Sequence, residues 1–231
     1  MKHNVIRISF IVYLLVTQIT LYCYGQSNKF WGELKPGAYN VGYKVIKQQD
    51  KLRNNRPLVI SIWYPAKNVK LPVIFKEYLF SGIINPSFSN PTPEEKTKIL
   101  KEFKEILEMP HILGLREIPV LQFEAIMNVP MAAEKNAREV TGKFPGIIMS
   151  SEPESLAITA EYLASHGFVV AAVHAPYNQV QPPDSLVWDA STKDLAWLAE
   201  YTKQIEIIDQ DKIAALGFGG GILPAPLVAK R

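Results

Sequence analysis

Cysteine and histidine are scarce in this sequence, and neither sign of charge dominates. The single cysteine among 231 residues excludes an internal disulfide and a cysteine-based metal site. The four histidines do not recur at the spacings of metal ligands, so we expect no metal and no cofactor. The 25 lysines and arginines stand against 22 acidic residues. This near balance gives no basis for nucleic-acid binding.

The N-terminal segment has the pattern of a secretory signal. Lys2 and Arg7 supply positive charge before residues 8–16, an apolar run too short for a convincing membrane span. We therefore expect a signal peptide over residues 1–25 and one domain over residues 26–231 of a secreted or periplasmic protein. An uncleaved membrane anchor is the alternative.

Cys23 allows a third interpretation of this segment, a lipid-anchored form. Its depth in the chain fits lipidation, but the bulky Tyr22 stands where such motifs prefer a small residue. Lipidation is therefore less favoured than cleavage. Cleavage after Gly25 would leave a mature chain with no cysteine.

The first part of the domain predicts an antiparallel pair of strands. Residues 39–46 alternate between two faces, and residues 57–64 form a second strand-like run that ends at Pro65. The polar residues 48–56 between them predict a hairpin loop.

A helical insertion is predicted at about residues 76–143. Thr92 and Glu95 form a capping box around Pro93, which suits the first turn of a helix. A shorter helix is expected over residues 121–128. The insertion is either a lid over a pocket or a surface-packed connection.

From residue 144 onward, short apolar strands alternate with amphipathic helices. This rhythm predicts an α/β fold with a mostly parallel sheet that follows the antiparallel pair. Strands are expected over residues 144–149, 168–173 and 212–216, helices over 156–165 and 192–207, and a turn over 209–211.

Five residues after the last predicted strand carry the strongest local signal: Gly217-Phe218-Gly219-Gly220-Gly221. A G-x-S-x-G nucleophile elbow occupies such a strand-to-helix turn, but its third position here is Gly219. Glycine adopts the strained backbone of an elbow at little cost. A phosphate-binding loop is disfavoured because the spacing is not G-x-G-x-x-G and no lysine stands at the position it has in a P-loop.

Further stretches carry a family resemblance. They are Gly42-Tyr43-Lys44 with residues 60–66, residues 144–150, residues 161–170 and residues 211–221. Together they resemble the α/β-hydrolase superfamily, and most nearly its dienelactone-hydrolase and platelet-activating-factor-acetylhydrolase-like esterases. The resemblance implies an esterase scaffold for short-chain acyl esters, and it places Gly219 where the serine nucleophile stands.

This chain is predicted to lack an intact catalytic triad. In this fold the nucleophile is followed by the acid and then by the histidine. Gly219 has no hydroxyl, and residues 222–231 contain neither an acid nor a histidine. We therefore expect a hydrolase by ancestry without serine-esterase activity. A serine restored at position 219 alone should not restore activity.

Ser151 and Glu152 occupy the position that the resemblance assigns to the oxyanion loop. A carboxylate beside a developing oxyanion opposes that chemistry. The favoured interpretation is structural, with Ser151 or Ser155 capping the next helix.

His174 follows a predicted buried strand at the carboxyl edge of the sheet, where sites of α/β proteins lie. Asp184 or Asp189 could approach it. Without a nucleophile nearby, a structural role is favoured over catalysis.

The predicted last strand would have an open, apolar edge if the fold is truncated after the elbow. This edge predicts either an incomplete version of a longer protein or self-association. Two alternatives to an inactive esterase stay open: a non-catalytic module that binds a small acyl ester, a lipid or a protein, and a non-functional gene fragment.

Overall fold

The computed structural model describes residue 31 and residues 34–83, 87–108, 118–150, 153–174 and 184–217. The chain divides into two compact units, Met1–Lys35 and Pro36–Arg231. All elements named below belong to the second unit.

The described strands form one mixed sheet. Its order is β3-β4-β1-β2-β6-β5-β7. The strands β1, β4, β5, β6 and β7 run in one direction, while β2 and β3 run against them. The strands are β1 (Asn40–Asp50), β2 (Arg56–Ala66), β3 (Pro72–Ile74), β4 (Pro130–Lys135), β5 (Phe144–Ser150), β6 (Val169–Val173) and β7 (Ile208–Leu216).

The described helices connect and cover these strands. They are α1 (Lys76–Ser81), α2 (Pro93–Leu107), α3 (Val120–Met127), α4 (Pro153–Ser165) and α5 (Asp184–Thr202). Within the described residues, no helix combines the length and the apolar character needed to cross a membrane.

The antiparallel pair β1–β2 is confirmed, but its loop is shorter than predicted. Residues 48–50 continue β1, because Gln48 pairs with Leu58 and Asp50 pairs with Arg56. A single 3₁₀ turn over Lys51–Arg53 follows. Asn54 then closes the turn in the left-handed region, at a φ of 54°, which asparagine tolerates better than most residues.

The tip of this hairpin is attached to α5 through a buried carboxylate. Arg56 donates two hydrogen bonds to Asp194, of 3.0 Å from Nε and 2.8 Å from Nη2. Arg53 adds an ion pair of 2.5 Å to the same carboxylate. The Asp194 side chain is only 3% exposed, and these arginines compensate its charge, while Arg53 also pairs with Asp50 at 2.5 Å.

The capping box at the start of α2 is confirmed. The Thr92 hydroxyl accepts a hydrogen bond from the Glu95 backbone N–H at 3.2 Å, and the Glu95 carboxylate accepts from the Thr92 N–H at 2.7 Å. The short helix α3 is also confirmed. The region 76–143 additionally holds β4, which the sequence did not predict and which pairs in parallel with β1.

The three strands β5, β6 and β7 are parallel, with α4 leading from β5 to β6 and α5 leading toward β7. Three predicted boundaries here are wrong. Helix α5 begins at Asp184 rather than at residue 192 and ends at Thr202 rather than near residue 207, and residues 209–211 belong to β7 rather than to a turn. Pro145 pairs with Asp209 but Gly146 pairs with Ile213, so the polar residues between them bulge from the strand.

The sheet carries a core on each face. On one face, side chains of β2 and β6 pack against Leu195 and Leu198 of α5. On the other face, Tyr43 and Trp63 pack against Tyr78 of α1, while α4 lies against β2 and α1. The second face also carries buried polar side chains.

Candidate functional site

The carboxyl ends of the three parallel strands lie at one edge of the sheet. Ser150 at the end of β5 pairs with Val173 of β6, and Met149 pairs with Leu216 of β7. Ligands of open α/β sheets bind at this kind of edge. The half-buried Gly217 follows β7 there.

The other predicted residues at this edge are Phe218, Gly219, Gly220 and Gly221 after β7, and Ser151 and Glu152 after β5. They lie outside the described residues. What the structure places is the pair of strand ends from which these two segments leave. Strands β5 and β7, which precede these segments, are neighbours in the sheet.

His174 directly follows β6, and its side chain is buried. The residue is 1% exposed, and its backbone N–H donates to the Val59 carbonyl at 2.9 Å. The Nε2 atom lies 2.9 Å from the Ser61 hydroxyl. Burial lowers the pKa of His174 to about 3, and the nearby Ser81 carbonyl opposes this shift. The imidazole is therefore neutral at physiological pH.

The hydroxyl groups beyond His174 determine which ring nitrogen carries the proton. Ser81 donates to the Tyr78 carbonyl at 2.7 Å, so Tyr43 must donate in its 2.7 Å contact with Ser81. Tyr43 has no second proton, and Ser61 must therefore donate in its 2.7 Å contact with Tyr43. His174 then donates from Nε2 to Ser61. No described atom forms a hydrogen bond with Nδ1.

Glu161 of α4 is a second buried titratable group on this face. Its carboxylate accepts a hydrogen bond of 2.5 Å from the Tyr78 hydroxyl and bonds of 3.0 and 2.9 Å from the backbone N–H groups of Ala132 and Ala133. Burial raises its pKa to about 7, against the opposing effect of these three donors. Burial, with the neighbouring Glu161 charge, also raises the pKa of Tyr78 well above its ordinary value.

Three aromatic rings enclose these polar groups. Tyr43 lies 5.2 Å from Trp63 and 4.8 Å from Tyr78 between ring centroids, and Trp63 lies 5.8 Å from Tyr78. All three side chains are at most 1% exposed. The polar groups are therefore held in a low-dielectric layer between the sheet and the helices, where hydrogen bonds fix their positions.

On sequence grounds, a structural role for His174 is favoured over catalysis. Its backbone lies at the carboxyl end of β6, and its ring is enclosed and bonded to Ser61. Sequence reasoning missed Ser61, which contacts His174, and Glu161, which is buried on the same face of the sheet and bonded to Tyr78. The sequence carries no distinctive signal for Glu161, since α4 has two glutamates, Glu154 and Glu161. No set of three or more metal-ligating side chains occurs in the part of the chain that the structure describes.

Comparison with known proteins gives a fold-level relationship. No family model matches the chain, and no curated protein matches it. Among solved structures it is similar to a ferulic acid esterase from Streptomyces cinnamoneus, with a TM-score of 0.55 and 19% identity. The match covers 86% of this chain and 57% of the esterase, so the chain spans little more than half of that protein's length.

The likeness fits a hydrolase-like α/β fold with an esterase among its structural neighbours. The predicted α/β class with a mostly parallel sheet is confirmed at this level. The narrower kinship with dienelactone hydrolases and platelet-activating-factor acetylhydrolases stays a prediction, as does truncation after the elbow.

Proposed function

We propose that this chain is an ester-hydrolase scaffold whose nucleophile position holds glycine, and that it does not hydrolyse esters through a serine. One observation carries the proposal. Strand β7 runs parallel beside β5 and ends at Leu216, so Gly217, the first residue of the glycine-rich run, follows the carboxyl end of β7. That is the strand end from which a nucleophile elbow turns into a helix.

The loss of the hydroxyl at position 219 is decisive for this chemistry. Acyl transfer of this type needs an activated nucleophile, and removal of a single triad member costs several orders of magnitude in rate. Glycine supplies no atom that attacks a carbonyl. The fold does not require this hydroxyl, so it can persist although catalysis is absent.

The described residues do contain one serine–histidine pair, Ser61 and His174, at 2.9 Å. This distance suits a nucleophile and its base. However, the two residues are 0% and 1% exposed, and the Ser61 proton is given to Tyr43. The pair therefore supports the packing of β2 against β6 and is closed to an ester substrate.

The proposal is tested with p-nitrophenyl acetate and a fluorophosphonate probe. We expect no turnover above a heat-inactivated control and no labelling. A fluorophosphonate-sensitive rate that survives Ser61→Ala would show another nucleophile and overturn the proposal. A rate abolished by Ser61→Ala, with the variant still folded, would overturn it in favour of the buried pair.

Gly219→Ser extends this test. We expect the variant to stay inactive, because the ring of His174 is enclosed and already bonded to Ser61. Gly221→Ser serves as the matched control in the same segment. Hydrolysis by Gly219→Ser but not by Gly221→Ser would show that a base does reach position 219.

We also propose export from the cytoplasm, on the signal-like pattern of residues 1–25. Mass spectrometry of the protein from its native host should find a mature N-terminus near Gln26. A chain that retains Met1 in the cytoplasmic fraction would contradict export.

Binding without catalysis is the second candidate function. It is favoured by a cleft over β1 and β4. In the sheet, these two strands lie on the opposite side of β2 from β5, β6 and β7.

A further inference from the structure

A cleft of about 370 Å³ lies over β1 and β4, bounded by α1 and the start of α2. This volume falls within the range of small-molecule sites, about 300–1,000 Å³. The cleft is distinct from the edge where β5 and β7 end, because β2 and β6 stand between them in the sheet. Its apolar and aromatic lining consists of Tyr43, Val45, Val73, Phe80 and Ile83.

Positive charge dominates the polar part of the lining. Three lysines line the cleft, Lys47, Lys96 and Lys135, against one acid, Glu77. Lys47 donates to the Phe88 carbonyl at 2.5 Å, a neutral acceptor. Among the described residues, no carboxylate forms an ion pair with any of the three. The three lysines therefore give the described lining an excess of positive charge, with Lys47 and Lys135 exposed to solvent and Lys96 half-buried.

Lys96 differs from the other lysines of α2. Lys98, Lys101 and Lys104 each have a glutamate four residues later and form i,i+4 ion pairs with it. Four residues after Lys96 stands Leu100. The Lys96 ammonium instead lies 5.2 Å from the centroid of the Phe80 ring, at the cleft.

Lys135 approaches the cleft from a different element. It ends β4 and is paired in register with Tyr43 of β1. The next residue, Asn136, has a φ of 58° and donates its backbone N–H to the Tyr43 carbonyl at 2.7 Å. This tight turn places both Lys135 and the Asn136 amide in the lining.

We propose that this cleft binds a small organic anion. A carboxylate is held between Lys96 and Lys135, and an apolar or aromatic body lies on Val45 and Phe80. A charged acceptor forms stronger hydrogen bonds with ammonium groups than a neutral one. An inorganic anion would leave the apolar lining uncovered, so the body of the ligand contributes to binding through buried area. The proposal does not depend on whether the elbow is catalytic.

The test is isothermal titration calorimetry with the 231-residue chain and three probes. Phenylacetate carries the charge and the ring, phenylacetamide carries the ring with a neutral head of similar shape, and inorganic phosphate carries charge alone. We expect millimolar or tighter binding of phenylacetate, and binding of the amide and of phosphate weaker by about tenfold or more. If phenylacetamide bound as tightly as phenylacetate, the proposed role of the negative charge would be wrong. If phosphate bound as tightly as phenylacetate, the proposal that the ligand is organic would be wrong.

Two variants on separate elements locate the site. Lys96→Ala and Lys135→Ala should each weaken phenylacetate binding by about tenfold, since a hydrogen bond to a charged group is lost. Lys101→Ala is the matched control, because its side chain is 79% exposed on the same helix. It should leave binding unchanged. The proposal fails if phenylacetate does not bind at millimolar concentration, or if Lys101→Ala weakens binding as much as the other two.

Discussion

Replacing Glu161 by glutamine should reveal a pH dependence of folding stability that the unmodified protein hides. Burial raises the pKa of Glu161 from 4.5 to about 7. Between these values the folded protein retains a proton that the unfolded chain has lost. The free energy of unfolding therefore falls as pH rises. At 1.36 kcal/mol for each pKa unit, the whole contribution is about 3 kcal/mol.

His174 acts in the opposite sense. Burial lowers its pKa from 6.5 to about 3, so between these values the unfolded chain binds a proton that the folded protein does not. The free energy of unfolding therefore rises with pH in that range, by about 5 kcal/mol in total. From pH 4.5 to 6.5 the contributions of Glu161 and His174 overlap and cancel. Each becomes visible only when the other group is replaced.

The assay is urea unfolding followed by circular dichroism, in small pH steps across that overlap. Glu161→Gln should gain a rising slope of about 1 kcal/mol per pH unit, and His174→Gln a falling slope of similar size. The slope is the readout, because Glu161→Gln also leaves one N–H donor without its carboxylate acceptor and lowers stability at every pH. Glu200→Gln, on an exposed side chain paired with Lys203, is the matched control and should keep the original slope.

The three hydrogen-bond donors around Glu161 provide the competing outcome. Donors favour the ionised carboxylate, and a carboxylate that accepts several N–H bonds can have a very low pKa. If they fully offset burial, the folded and unfolded pKa values would nearly coincide. Glu161→Gln would then show the slope of the unmodified protein, which would refute the reasoning.

Three further substitutions test the described packing, each measured as a change in the free energy of unfolding. Thr92→Ala removes the hydroxyl that caps α2 and should cost about 1 kcal/mol, with a smaller loss if Glu95 caps alone. Asp194→Ala leaves the Arg56 guanidinium without its carboxylate and Arg53 with Asp50 alone, and should cost about 3 kcal/mol; a loss below that of Thr92→Ala would contradict the ion cluster. Gly37→Ala places a methyl group 2.0 Å from the Ser165 carbonyl oxygen and should cost about 1–3 kcal/mol, whereas an unchanged midpoint would exclude this close approach.

Local patterns were sufficient to predict β1, β2 and the cap of α2, because each depends on residues close in sequence. Strand β4 was missed because its identity comes from pairing with β1, about ninety residues earlier, and its composition is not distinctive. The bulge of β7 was read as a turn because its polar residues have the composition of one.

In the candidate site, too, local sequence patterns predict some features, while others depend on residues distant in sequence. The backbone position of His174 follows from strand order, which the alternation of strands and helices predicts. Its burial does not follow, because that is set by Ser61 on a strand 113 residues away and by the helices above it. Glu161 has the sequence appearance of a helix surface residue, and only the packing of β4 and α1 around α4 encloses it.

The ion cluster at the tip of the β1–β2 hairpin has a consequence for biosynthesis. Arg56 and Asp194 are 138 residues apart, so the hairpin leaves the ribosome long before its counter-charge has been translated. Until then Arg56 has no carboxylate partner and Arg53 has only Asp50, and hairpins alone are marginally stable. The docking of α5 supplies the carboxylate and joins the first and last parts of the described sheet. Cooperative folding of this domain therefore has to wait for α5, and nascent chains stalled before residue 194 should remain sensitive to protease at the hairpin.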